Sequence, residues 1–359
     1  MKNVAVILAG GRGPGLWPRG TDKMPKQFQH VLGNGTMIQN TVQRISPLIP
    51  AEQTWVVTTQ QFEGLVREQL PELPEGQIVC EPFGRNTGPS IALTSTLLKF
   101  VYSPDTVLAF LPSDHLIQNS HEFQAVLNQA CHAARTSEMI VTIGVLPTRP
   151  ETNYGYIQVG NPYSANGQAG DKVYYVHTFA EKPDPETALR FLNAGDFVWN
   201  SGIFVARIDV LLRAITTFLP DHAPLFASLE RHVNKETYHA ALETIFRQIR
   251  SISFDVGVME KAENILVVDG AFGWSDVGTW DEVYRLVMKD GKNNVLEGNV
   301  IALNTGNSLI SALGGKIVGV VGVENLVVVD TEEALMICPR GQTNQVREIV
   351  DVLRRRHIG

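Results

Sequence analysis

A glycine-rich segment, Leu8-Ala9-Gly10-Gly11-Arg12-Gly13-Pro14-Gly15-Leu16-Trp17-Pro18, follows a short apolar run at the start of the chain. Four glycines within six residues let backbone N–H groups approach and cradle a phosphate that side chains would obstruct. Two common phosphate loops do not fit. A GxGxxG built on Gly11 and Gly13 needs glycine where Leu16 stands, and a Walker-type loop from Gly15 to Gly20 needs lysine where Thr21 follows. A ligand-free turn would explain the glycines alone, but Lys26 in Pro25-Lys26-Gln27-Phe28 adds a point charge suited to phosphate just beyond them.

Two aspartates belong with this segment. Asp114, in Pro112-Ser113-Asp114-His115, follows the run VLAFLP, and Asp276, in Gly273-Trp274-Ser275-Asp276-Val277-Gly278, follows ILVVD. Carboxylates from two strand ends at a phosphate site suit Mg2+, which takes one or two carboxylates plus phosphate oxygens and water. Each aspartate alone reads equally well as a turn or helix cap. With the glycine-rich loop, the metal reading is favoured.

A third group offers sugar chemistry. Glu181 and Asn200 can hydrogen-bond hydroxyls, Lys182 can meet a phosphate, and Gly155 in Asn153-Tyr154-Gly155-Tyr156 allows close backbone approach. Glu181-Lys182 also reads as a surface pair. Glu81, Arg85, Asn86 and Thr87, between a strand and a helix, could read a base, or Thr87 could be an N-cap. His115 and His121 have no metal spacing. No nucleophile elbow or triad stands out, so no covalent mechanism is suggested.

The elements that must position these groups are legible in the periodicity. Val4–Leu8, Thr54–Thr59, Val107–Leu111 and Met139–Val145 read as buried strands, being short, apolar and often β-branched. Helical spacing runs through Met37–Ile45, Phe62–Leu70, Ile91–Phe100 and Phe123–Ala134. Alternation of this kind predicts an α/β, Rossmann-like domain on a mainly parallel, mixed sheet, with ligands outside the carboxyl ends of the strands. After about residue 290 the pattern changes to short runs (VIAL, SLIS, KIVGVV, LVVVD, ALMIC) between Asn, Gly and acidic turns. That predicts a small β-rich, β-helix-like domain closed by a helix over 343–356. The boundary is placed at 290/291, giving domains 1–290 and 291–359.

Composition narrows the class further. The 359 residues are 44% hydrophobic and 19% charged, too apolar for a disordered chain. Net charge is −7 with scattered basic residues, against a nucleic-acid surface. No apolar run reaches the ~18 residues of a membrane span. Cys80, Cys131 and Cys338 are odd in number and far apart, as expected of reduced thiols in a cytoplasmic protein.

In this order the pieces resemble the mannose-1-phosphate guanylyltransferases (GDP-mannose pyrophosphorylases) among the sugar nucleotidyltransferases. The matching stretches are LAGG…LWP (8–18), PKQF (25–28), EPFGRNTGPSIAL (81–93), PSDH (112–115), YGYI (154–157), FAEKP (179–183), WNSGIF (199–204), DVGVMEK (255–261) and GWSDVGTW (273–280). The β-rich tail is similar to that of the single-function bacterial members.

The resemblance implies that α-D-mannose 1-phosphate attacks the α-phosphorus of GTP, with Mg2+ as cofactor, giving GDP-mannose and pyrophosphate. The second pKa of a sugar phosphate lies near ~6, so the attacking oxygen is largely ionised and needs no general base. It also implies residue roles. Leu8, Ala9, Gly10, Gly11 and Gly13 cradle the nucleotide, Lys26 meets the triphosphate, and Asp114 and Asp276 hold the metal. Gly155, Glu181 and Asn200 take the mannose, Lys182 its phosphate, and Glu81, Arg85, Asn86 and Thr87 the guanine side.

One position departs from the family pattern GGxGxRLWPLSR: Gly15 stands where an arginine contacts the triphosphate, with Arg12 and Arg19 nearby. The alternatives are a catalytically weakened sugar-nucleotide-binding paralogue, or a related NTP:hexose-1-phosphate nucleotidyltransferase. A homodimer through residues 299–338 would cover the exposed strand edges of the tail.

Overall fold

The computed structural model describes residues 2–165 and 168–356. The chain forms two compact units that interleave in sequence. The first holds the chain up to Gly11, Val42–Ser113 and Ile117–Trp274; the second holds Arg12–Thr41, Asp114–Leu116 and the chain from Ser275 on.

Among the described residues the first unit is built on nine strands: β1 (Asn3–Leu8), β2 (Thr54–Thr59), β3 (Ile78–Glu81), β4 (Val107–Pro112), β5 (Ile140–Val145), β6 (Tyr156–Ala165), β7 (Gln168–Ala180), β8 (Phe197–Arg207) and β9 (Ile265–Gly270). Their order across the sheet is β3-β2-β1-β4-β8-β5-β9-β7-β6. The ladders β3-β2-β1-β4 are parallel, as is β5-β9. Strand β8 runs antiparallel to both β4 and β5. Val4, Val6, Ile7, Val56, Leu108 and Phe110 are fully buried along successive positions, which is why these strands read as continuous apolar runs. Helix Ser120–Thr136 packs on β4, β5, β8 and β9 through Phe123, Val126, Leu127, Ala130 and Cys131. Its start is set by Asn119, whose side chain accepts the Glu122 N–H.

The second unit carries short stacked strands. Val295–Gly298, Leu309–Ala312 and Leu326–Asp330 pair in parallel, Leu335–Pro339 joins antiparallel, and Val300–Leu303 pairs with Val318–Val321. Asn304, Asn307 and Asn325 turn the chain between them with positive φ, a conformation asparagine tolerates. The core of this unit joins Leu309, Val327 and Val329 to Leu16, Val31, Trp280 and Val346. The helix Val346–Arg355 closes the described chain.

Candidate active site

Because β1 to β4 are parallel and in register at their ends, Leu8 lies opposite both Val57 and Pro112, and Thr59 opposite Glu81. The segments leaving these strands therefore share one edge of the sheet. Ala9 still belongs to the ladder: its N–H donates to the Val57 carbonyl at 2.8 Å, and the Ala9 carbonyl accepts from Thr58 Oγ1 at 3.0 Å. The chain is released at Gly10. Gly11 is exposed, and beyond its chain neighbours no described atom lies within 4 Å of where a Cβ on it would stand.

Glu81 faces this turn, with Oε2 at 3.5 Å from where a Cβ on Gly10 would stand. It is 1% exposed, and burial pushes its carboxyl up to about 8, against the pull of a 2.6 Å hydrogen bond from Ser90 Oγ. The other base-side candidates serve the protein itself. Arg85 Nε donates to the Phe246 carbonyl, and its guanidinium lies over the Phe83 ring. Asn86, not Thr87, is the N-cap of helix Thr87–Leu98, and Thr87 Oγ1 accepts the Phe254 N–H.

Within the second unit, Gly13 adopts φ +49°, and a Cβ there would stand 2.7 Å from Lys26 Cγ. Only glycine lets the loop lie along the lysine stem. The Lys26 side chain is 9% exposed, and its ammonium donates to Asp114 Oδ2 at 2.8 Å and to the Asp276 carbonyl at 2.7 Å. Burial would raise the Asp114 pKa, but the charges of Lys26 and His115 and the Lys26 hydrogen bond outweigh it and hold the carboxyl below its ordinary value.

Asp276 is not a helix cap. Its Oδ1 accepts the Gly278 N–H at 3.2 Å, while Thr279 caps the helix Trp280–Leu286. Among the described residues no group of three or more His, Cys, Asp or Glu could hold a metal by itself. Two carboxylates are nonetheless the donor set of a Mg2+ that takes its remaining ligands from phosphate and water, so Asp114 and Asp276 fit that ion.

Back in the first unit, the sugar-side candidates converge. Antiparallel β8 sets Asn200 beside the start of β6, where its N–H donates to the Gly155 carbonyl at 2.8 Å. A Cβ on Gly155 would stand 2.6 Å from Glu181 Oε2 and 3.2 Å from Asn200 Cβ, so the glycine makes the convergence possible. Lys182 Nζ donates to Glu181 Oε1 at 2.7 Å with its side chain 60% exposed. The pair is thus a salt bridge at the rim of the cluster, with the lysine free to swing toward an anion.

Asp255 completes the cluster and was not singled out by type or spacing. Its Oδ1 accepts the Asn200 Nδ2–H at 2.7 Å, while Asn200 Oδ1 accepts the Gly202 N–H at 3.0 Å. These two bonds fix the orientation of the Asn200 amide. Burial and the neighbouring Glu181 charge push the Asp255 carboxyl up to about 6, against the Asn200 hydrogen bond and Lys182. The available signal was its place at the head of the DVGVMEK run.

Comparison with known proteins identifies the family. Residues 4–293 match the family described as nucleotidyl transferase, and residues 298–353 match the MannoseP isomerase/GMP-like beta-helix domain. A mannose-1-phosphate guanylyltransferase of Escherichia coli is 36% identical over 97% of this chain and 73% of its own length. The alginate biosynthesis protein AlgA of Pseudomonas aeruginosa is 35% identical over 97% of this chain and 71% of its own. Among solved structures, a Thermus thermophilus protein described as a mannose-1-phosphate geranyltransferase superposes with a TM-score of 0.87 at 32% identity, over 99% of this chain and 100% of that one.

Proposed function

The chain belongs to the nucleotidyl transferase family, among its mannose-1-phosphate guanylyltransferases, and on that premise we propose that it transfers GMP from GTP to α-D-mannose 1-phosphate. An oxygen of the sugar phosphate attacks the α-phosphorus of GTP. The bond to the β-phosphate breaks, and GDP-mannose and pyrophosphate result without a covalent enzyme intermediate. The observation that carries this reading is the Lys26 ammonium, held between the Asp114 carboxylate and the Asp276 carbonyl. Such a cation, fixed in place before substrate arrives, stabilises charge on a transferring phosphate with little reorganisation.

The remaining roles are assigned on the same reading. The backbone at Gly10 and Gly11 takes phosphate oxygens, with Glu81 the base-side group that faces the turn, and Arg85, Asn86 and Thr87 are kept as further base-side candidates. Asp114 and Asp276 would hold Mg2+, which supplies charge neutralisation on the triphosphate when bound. Gly155, Glu181 and Asn200 orient the sugar, Asp255 holds the Asn200 amide, and Lys182 meets the sugar phosphate. We keep the boundary between catalytic and β-rich domains at 290/291.

Two further readings accompany this one. Ile301, Leu303, Ile317 and Val321 are exposed on the tail, which favours a homodimer through it; a monomer in sedimentation at micromolar concentration would exclude that. No described helix is long and apolar enough to cross a membrane. The three cysteines are unpaired, which suits the reducing cytoplasm, where we place the protein.

The test is pyrophosphate release by the purified protein with Mg2+, over a grid of NTPs and hexose 1-phosphates. Release confined to GTP with mannose 1-phosphate is expected. Release with another pair shifts the reading to a related NTP:hexose-1-phosphate enzyme. Gly15 favours one rival specifically, a weakened paralogue that binds sugar nucleotides, and silence across the grid with GDP-mannose still bound would select it.

A further inference from the structure

Gly15 is buried, and a Cβ there would overlap the Gly278 carbonyl oxygen. The loop is closed against Gly278, and no side chain can leave position 15 along this path. The same hypothetical Cβ would stand 3.5 Å from Nε of Arg347, which lies in the first turn of the helix Val346–Arg355. A guanidinium from the far end of the sequence therefore covers the glycine that has none of its own.

The candidate substitutes closer in sequence are occupied. Arg19 forms two 3.1 Å bonds to the carboxylate of Glu297, and Arg12 faces Asp22 at 3.7 Å. Arg354 grips that same Asp22 at 2.6 and 3.0 Å. Among the described residues, Arg347 alone of these four has no carboxylate partner. A cation in the first turn of a helix opposes the macrodipole, so helix stability does not explain it.

The helix is also held rigidly enough to position a side chain. Ahead of its first turn, Thr343 Oγ1 and the Gly341 N–H donate to the Asp281 carboxylate at 2.5 and 2.9 Å. Near its other end Arg354 is tied to Asp22, and Val346 and Val350 are buried between. Asp281 sits at the start of the helix that follows the Asp276–Gly278 turn. Thus Asp276, Gly278, Gly15 and Arg347 form one continuous set of neighbours, in which Gly15 belongs to the loop whose Gly13 lies along Lys26.

We infer that Arg347 is a nucleotide-binding residue, which places its guanidinium at the glycine-rich loop to contact the triphosphate in place of a side chain at position 15. A triphosphate carries several negative charges, and the Lys26 charge is already matched by Asp114. A second, uncommitted cation beside that loop supplies the charge-assisted contact that remains unmet. The inference rests on the nucleotidyl-transfer reading and names a group that reading lacked.

The experiment compares full-length Arg347→Ala and Arg347→Lys with the wild type by pyrophosphate-release kinetics and by calorimetric titration with Mg-pyrophosphate. The Ala variant is expected to raise KM for GTP about 10-fold or more, with KM for mannose 1-phosphate unchanged. The Lys variant recovers part of the loss. Pyrophosphate affinity should fall in parallel, with thermal unfolding unaltered because Arg347 is exposed and has no ion-pair partner. Should the wild type turn over no NTP at all, the transfer reading fails, yet the pyrophosphate titration still decides Arg347. Equal pyrophosphate affinity in wild type and Ala variant, or no binding to the wild type, overturns the inference.

Discussion

Asp114 and Asp255 each anchor one cluster, and their electrostatic settings are opposite. Asp114 has a lysine ammonium 2.8 Å away, and its carboxyl is held below the usual range. Asp255 has an amide as its hydrogen-bond partner and Glu181 as a charged neighbour, and its carboxyl rises to about 6. The first setting is charged at any working pH and suits polyanions and a cation. The second is an acid-rich, hydrogen-bonding surface suited to neutral hydroxyls, and its protonation changes close to neutrality. On the proposed function, one substrate class would meet a fixed charge and the other a titratable one.

The most severe way to break this contrast is to remove the fixed charge. Lys26→Ala leaves Asp114 without its cation and withdraws the donor to the Asp276 carbonyl. Turnover in the pyrophosphate assay is expected to drop about 10²–10³-fold, as when a preorganised donor to a transition-state charge is lost. Lys26→Arg should rescue little, since a planar fork cannot take the place of a compact ammonium beside Gly13. A Lys26→Ala enzyme within a few-fold of wild type would place the phosphate chemistry elsewhere.

The titratable side is probed by Asp255→Asn, with a smaller effect. Losing the charged acceptor for the Asn200 amide should raise KM for the sugar phosphate about 10-fold, leaving KM for GTP unchanged. The pH dependence sharpens the point. In the wild type, protonation of Asp255 as pH falls through about 6 should weaken sugar binding. The substrate's own second ionisation lies in the same range, near ~6, so the informative quantity is the difference between profiles. The Asn variant keeps only the substrate's inflection. Superimposable profiles would mean that Asp255 does not change charge there.

These two clusters differ in how far the sequence reveals them. Strands such as Val4–Leu8 and Val107–Leu111 announce themselves because both faces are buried, and the residues at their carboxyl ends follow by position alone. Asp114 and Asp276 were singled out for that reason, and Lys26 because it follows the glycine-rich loop. Asp255 was not, because its role depends on Asn200, brought to it by the antiparallel strand β8. Local periodicity carries no record of strand direction. Nor does it show that Arg12–Thr41 and the chain from Ser275 on form one compact unit, since the shared core of Leu16, Trp280 and Val346 joins segments hundreds of residues apart. The meaning of Gly15 was hidden for the same reason: its neighbours, Gly278 and Arg347, are distant in sequence.

Glu81 offers a third setting, a carboxyl with neither cation nor charged neighbour, and here the expected effect is on stability more than turnover. Burial raises its pKa to about 8, so the native state holds a proton that the unfolded chain releases near ~4.3. Stability should therefore decline as pH climbs from the unfolded value through about 8, and level off beyond. Glu81→Gln removes the ionisation while keeping shape and the possibility of a bond to Ser90. The denaturation midpoint of this variant should match the wild type near pH 5 and exceed it near pH 9, with KM for GTP altered only a few-fold. Parallel stability curves across that range would show that Glu81 ionises without penalty, and that the absence of a paired cation, which separates Asp255 from Asp114, does not by itself control a buried carboxyl in this protein.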